Sequence, residues 1–253
     1  MKKLILFPFL LFSVMAFSQQ FGKLYVVAKS GLNMRTSPSI KADVVDIIPY
    51  GSAIEIKNEN EELKSFVSEN MMGFWQKVTY KDKSGYILDS YLIPWEVPDL
   101  ATVKEFGDYL KQVTKPFGKK LTVREMNTNL MEENGWQISK QLYENGAEWQ
   151  HNSGYEYGAD IYFLPGFSIQ QGFLLLRLIP EFSNAIGEND AFPNKDVKTT
   201  RDEKEFTIKV DKEMFGDNPW YKKIDIEYED GAYYMLQLFT IDNQLVISFG
   251  SGV

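Results

Sequence analysis

Cysteine is absent from this chain of 253 residues, and histidine occurs once. Without cysteine there is no disulfide, no zinc–thiolate site, no thiol nucleophile and no lipid-modified N-terminal cysteine. One histidine excludes any metal site built on several imidazoles. Positive charge is also scarce: 27 Lys and Arg stand against 35 Asp and Glu, a formal charge of −8. An acidic surface repels phosphate backbones and gives anionic lipid nothing to hold, so neither nucleic acid nor a membrane surface is an expected partner. Beyond residue 18 no apolar run approaches the roughly 20 residues that a spanning helix needs. A G-x-S-x-G elbow, a phosphate loop and a dinucleotide fingerprint are missing too.

Apolar side chains are plentiful: 44% of residues are hydrophobic and 15% aromatic, enough for a substantial core. Residues 1–18 read as a secretory signal peptide. Lys2 and Lys3 supply the charged start, Leu4 to Phe17 is apolar except for Pro8 and Ser13, and Ala16 and Ser18 are the small residues a signal peptidase requires. Cleavage is expected before Gln19, which gives an exported protein, periplasmic or extracellular.

Residues 19–93 show short alternating strands between turns. Leu24–Val27, Leu32–Arg35, Val44–Ile48, Ala53–Lys57, Trp75–Tyr80 and Tyr86–Leu88 are the strands. Thr36–Ser39, Pro49–Gly51 and Asp82–Gly85 are the turns, and together they predict a small barrel packed on its own interior. Asn33 and Arg35 alternate away from Leu32 and Met34, and are expected to hydrogen-bond the following turn, whose backbone Pro38 fixes.

Six segments in this order carry a resemblance. They are Leu32-Asn33-Met34-Arg35-Thr36-Ser37-Pro38, Val44-Val45, Gly51, Trp75-Gln76-Lys77-Val78, Gly85-Tyr86-Ile87 and Tyr91-Leu92. The region resembles the bacterial SH3 (SH3b) domain family. The resemblance implies an SH3-like barrel that binds peptidoglycan or a peptide. Trp75, Tyr80, Tyr86 and Tyr91 are the candidate ligand-binding rings, because aromatic faces hold extended ligands at little rotameric cost. Packing in the core or at its rim is the other role open to Trp75 and Tyr86. The segment from Lys57 to Phe74 departs from the family pattern. It is long and acidic, with Glu59, Glu61 and Glu62 before Leu63, Phe66 and Val67 at a spacing that suits a helical turn. Two functions are open to it, a cap on the barrel or a cover over the groove.

Pro94 and Pro98 bracket an expected linker, residues 94–99, and Asp99 is placed to cap the helix after it. Residues 100–253 read as an α+β accessory domain, one early helix on an antiparallel sheet, so the whole chain is mainly β. Val103, Phe106, Leu110 and Val113 give residues 100–114 a helical period, which Pro116 and Gly118 end. Gly172 to Ile179 is a nearly continuous apolar run, and is read as a central strand. Residues 180–203 read as a long polar loop. Asp230-Gly231 and Asp242-Asn243 are hairpin turns that make the last 30 residues a meander.

Chemistry is sparse in this pattern. Cell-wall peptidases that use Cys–His or several His ligands are excluded by composition. His151, in Glu148-Trp149-Gln150-His151-Asn152-Ser153-Gly154, reads as a surface or turn histidine. Glu188, Asp190, Asp196 and Asp217 lack the spacing of an EF-hand. The aromatic residues Trp149, Tyr155, Tyr157, Tyr162, Trp220, Tyr221, Tyr233 and Tyr234 are either core or an exposed binding surface. The expectation is a non-catalytic exported binding protein with no cofactor or metal, whose partner is peptidoglycan or an envelope protein. Two alternatives stand beside it: a cell-wall glycoside hydrolase with a carboxylate pair in the second domain, and a structural member of an envelope complex.

Overall fold

The computed structural model describes residues 23–56, 63–127, 129–216 and 218–253. The expected signal peptide, and Glu59, Glu61 and Glu62 of the long segment, lie outside the described residues. Among the described residues the chain is mainly β, with two α-helices.

The first part contains β1 (Lys23–Val26), β2 (Leu32–Arg35), β3 (Val44–Ile48), β4 (Ala53–Glu55), β5 (Ser65–Ser68), β6 (Met71–Tyr80), β7 (Lys83–Leu88) and β8 (Leu92–Ile93). They form two antiparallel sheets, β4-β1-β8 and β3-β2-β7-β6-β5. Val26, Leu32, Met34, Ile48, Ile54, Val78, Ile87 and Leu92 fill the space between them. Alternation produces this core: in β2 Leu32 and Met34 point in, while Asn33 and Arg35 point out. Hydrogen bonding among the described residues runs in two sheets and not round one closed cylinder.

The helical turn expected around Leu63–Val67 is a strand instead. Ser65–Ser68 pairs with Met71–Phe74 across a two-residue turn, Glu69-Asn70, in which both residues have positive φ, 49° and 63°. An apolar residue at every third or fourth position is too short a signal to outweigh a hairpin partner six residues on.

The second part is one nine-stranded antiparallel sheet in the order β13-β14-β15-β16-β17-β12-β11-β10-β9. Its strands are β9 (Pro116–Asn127), β10 (Trp136–Tyr143), β11 (Glu148–Gly154), β12 (Tyr157–Pro165), β13 (Val197–Arg201), β14 (Lys204–Phe215), β15 (Asn218–Glu229), β16 (Tyr233–Ile241) and β17 (Gln244–Gly252). Two meanders, β9–β12 and β13–β17, join along β12 and β17, where Tyr157 pairs with Gly252 and Pro165 with Gln244. The connection from β12 to the far edge must therefore cross the face of four strands. It does so as α2 (Ile169–Leu176), a 3-10 turn (Pro180–Phe182) and a returning loop. Residues 180–203 are thus not a free polar loop: Phe182, Ala185, Ile186 and Phe192 are buried, and the stretch ends in β13.

The strand expected over 172–179 is mostly α2. A continuous apolar run cannot distinguish a buried strand from a buried helix. Local capping decides: Ser168 accepts from the amide of Gln171, whose side chain accepts from the amide of Ser168. Six of the eight residues in α2 are buried. One face packs on the sheet, where a Cβ on Gly172 would stand 2.2 Å from Leu245 Cδ2, so a larger residue there would force the buried Leu245 side chain to move. The opposite side packs on the first part. Gln171 Nε2 donates to the Leu92 carbonyl at 2.9 Å. A helix covered on both sides is apolar all round.

The early helix is shorter than expected. α1 (Phe106–Val113) starts at Glu105, which forms a capping box with Asp108. Asp99 caps the preceding turn, taking the Ala101 amide and the Thr102 hydroxyl. Residues 94–99 are pinned: Tyr109 donates to the Glu96 carbonyl, Gln112 to that of Val97, and Tyr50 to that of Pro98.

One core consequently contains residues of both parts. Val27, Met71, Ile93 and Val97 belong to the same buried cluster as Phe106, Tyr162, Leu174 and Leu236. Met71→Ala is expected to destabilise the whole chain by about 2–5 kcal/mol. Thermal unfolding followed by circular dichroism and by tryptophan fluorescence should shift as one coincident transition; two separating transitions would show that the parts unfold independently.

Candidate ligand groove

The outward faces of β2, β7 and β6 form a floor. Asn33 and Arg35 come from β2, Leu88 from β7 and Trp75 from β6, where Trp75 is the register partner of Leu88. The β5–β6 hairpin makes one wall with Phe66, Ser68 and Glu69. Leu174, Arg177 and Leu178, from α2 and its end, make another, and Lys29 and Glu188 close one end. The space enclosed is about 500 Å³, within the range of small-ligand sites.

The long segment 57–74 thus neither fills this groove nor seals the sheet pair with its described residues; it builds a wall. The hairpin is anchored at its tip. Asn70 Nδ2 donates to the Phe192 carbonyl at 3.0 Å, and the Phe192 amide to the Glu69 carbonyl at 3.1 Å. Arg177 pairs with Glu69 at 2.7 Å and also donates to the Asp190 carbonyl. Lys29 pairs with Glu188 at 2.7 Å across the end of the groove. Arg35 donates to the Ala42 carbonyl at 2.7 Å, which ties β2 to the turn after it, as its position in the strand predicts.

Of the four candidate rings, two line the groove. Trp75 is 5% exposed and packs on Phe66 at 6.3 Å between centroids. Tyr91 shares a hydrogen bond of 2.6 Å with Ser68. Burial pushes the Tyr91 phenol up, Glu69 nearby adds to this, and the Ser68 bond opposes it. Tyr86 lies on the same face of β7 as Leu88 but beyond the groove, opposite Arg35 and Lys77. Tyr80 faces the other way and packs on the interior of the sheet pair. Leu174, Arg177 and Leu178 escape a sequence reading that expects a strand over their segment. The Ser168-x-x-Gln171 capping box is the signal that finds them.

Residues 30–93 match the family model of the bacterial SH3 domain. No curated protein and no solved structure matches the chain.

Elsewhere, His151 lies in the middle of β11, not in a turn. Its Nδ1 is 2.9 Å from Asp160 Oδ1, which also accepts from Trp149 Nε1 at 2.8 Å. Polar residues on both sides of β11 hid the strand. The aromatic residues of the second part divide. Tyr162 is core, Trp149, Tyr221 and Tyr234 are half-buried, and Tyr155, Tyr157, Trp220 and Tyr233 are exposed. Tyr157 and Tyr233 register with Gly252 from either side of β17, whereas Trp220 lies near the start of β15. Among the described residues no three His, Asp or Glu gather to hold a metal ion. Glu188 and Asp190 are paired with Lys29 and Arg201, and Asp196 accepts the Val210 amide.

Among the described residues two carboxyls stand above their ordinary range, both because burial disfavours the charge. Asp89 holds the Phe74 amide and the Gln76 side chain. Glu181 holds the Phe106 amide at 2.7 Å, at the start of α1, and is pushed further up by Asp160, Glu105 and Asp108. For Glu181 the folded state binds the proton more tightly than the unfolded state does. The resulting stabilisation is full below the ordinary value of 4.5 and is lost as pH rises through the raised value. Glu181→Gln keeps an acceptor for Phe106 but does not titrate. Melting curves from pH 4 to 7 should show a smaller loss of stability above about pH 4.5 in the variant than in the parent. Parallel profiles would mean that Glu181 is not the group responsible.

Proposed function

We propose that the chain is an exported, non-catalytic binding protein of the cell envelope whose ligand, a peptidoglycan fragment or a peptide, lies in the groove. The carrying observation is that the floor consists of the strands that match the bacterial SH3 family, while the wall facing it comes from α2. Bacterial SH3 domains commonly bind cell wall. The groove offers Tyr91 and the small exposed part of Trp75 as apolar contacts, and Lys29, Arg35, Asn33 and Arg177 as donors to carbonyl or carboxylate oxygen. Glu69 and Glu188 give acceptors beside them. Donors and acceptors around aromatic rings suit a ligand rich in amides and carboxylates.

Support for this reading over a hydrolase comes from the two desolvated carboxyls. Asp89 and Glu181 lie outside the groove lining, and each already holds a backbone amide. Support over a purely structural role comes from the open space in the groove.

The test is co-sedimentation of the protein with purified peptidoglycan sacculi, next to Asn33→Trp and Trp75→Ala. Asn33 is exposed on the floor, so an indole there fills the groove without disturbing the core. The parent is expected to sediment, and Asn33→Trp to bind at least about tenfold more weakly, a loss of about 1.4 kcal/mol. Trp75→Ala should weaken binding in a protein whose far-ultraviolet circular dichroism is unchanged. Equal sedimentation of parent and Asn33→Trp would move the ligand elsewhere. A parent that stays in the supernatant would favour a protein partner.

A further inference from the structure

We propose a second binding site, a cavity under β13 that takes a small neutral amphiphile: an aliphatic or aromatic body carrying one hydroxyl or amide group. The cavity measures about 370 Å³ and lies between α2, the returning loop 185–193, and the inner faces of β14 and β15. It shares no lining residue with the groove and does not depend on the function proposed for it.

The floor determines the body of the ligand. Phe173, Ala185, Ile186, Phe206 and Ile226 line the cavity, and each is at most 4% exposed. The pocket opens to solvent on one side, so an apolar occupant gains by displacing water from its apolar lining.

The rim determines the head. Arg201 and Asp190 meet there at 2.7 Å, and Thr199 and Thr200 stand beside them. The Arg201 guanidinium lies 4.6 Å from the Phe206 ring centroid and also donates to the Asn184 carbonyl. Asp190 accepts the Gly187 amide as well, at 2.6 Å. The two charges cancel, so an anionic head meets Asp190 as closely as Arg201, and a cationic head the reverse. A group that both accepts and donates, a hydroxyl or an amide, satisfies both at once.

The experiment follows the ¹³C methyl signals of Ala185 and Ala191, both in the cavity lining, as the protein is titrated with a series from 1-butanol to 1-octanol. Ala147, buried outside the cavity, is the internal control. Affinity at Ala185 and Ala191 should rise about fourfold per methylene until the cavity is full. Ala147 should not respond, and the carboxylate of each chain length should bind at least about tenfold more weakly than the alcohol. Ile208→Trp, which fills the cavity from β14, should abolish the response and retain a cooperative melt. The proposal is overturned if affinity does not depend on chain length, if Ala147 responds as much as Ala185, or if carboxylate and alcohol bind alike. Should Ile208→Trp fail to fold, the titration of the parent protein decides by itself.

Discussion

The rest of the structure depends on α2 being buried on two opposite sides. Its eight residues separate the nine-stranded sheet from the small paired sheets, and neither side alone would cover them. Burial of an apolar side chain contributes roughly 1.5–3 kcal/mol, so the helix ties its two neighbours together by far more than the surface ion pairs do. Lys29–Glu188 and Arg177–Glu69 are exposed on at least one partner, where such pairs are worth at most about 1 kcal/mol. They set the alignment, while Met71, Ile93 and Leu174 supply the adhesion.

The groove is a product of that adhesion. Its floor is the outer face of a sheet that, in isolation, would be open to solvent. Only when the β5–β6 hairpin docks on the loop near Phe192, and α2 sits under β8, does the face acquire walls. Pinning the walls from both sides pre-organises the site, which lowers the ordering cost of binding. Affinity and stability are therefore set partly by the same residues.

The small sheets were largely legible because alternation, Gly and Pro turns and the Trp75 strand all point the same way. Among the ring residues, Trp75 and Tyr91 reach the groove, while Tyr80 and Tyr86 do not. The difference is parity and distance along the strands, and parity is ambiguous wherever a strand begins earlier than expected, as β6 does at Met71. The second part was legible at its hairpins and at α1, and misread at α2. Burial on both sides erased the helical period from Gly172 to Leu176, and only the capping box at Ser168 retained it. β11 was hidden for the opposite reason: its half-buried polar residues show no alternation. The α2 wall could not be read at all, since Leu174, Arg177 and Leu178 come from a different part of the chain from the floor.

The junction of β12 with β17 has a consequence for how the chain is made. Tyr157–Pro165 must remain without its central partner until Gln244–Gly252 has been synthesised, some 80 residues later. Ladders closed over such sequence distances form slowly, and their waiting edges invite association with other chains. The first meander, β9 to β12, therefore emerges as an incomplete sheet with β12 as an exposed edge, and α2 comes after it with only the first part, and not yet its sheet partners, to pack on. Whatever handles this chain before it folds must shield that strand and that helix together.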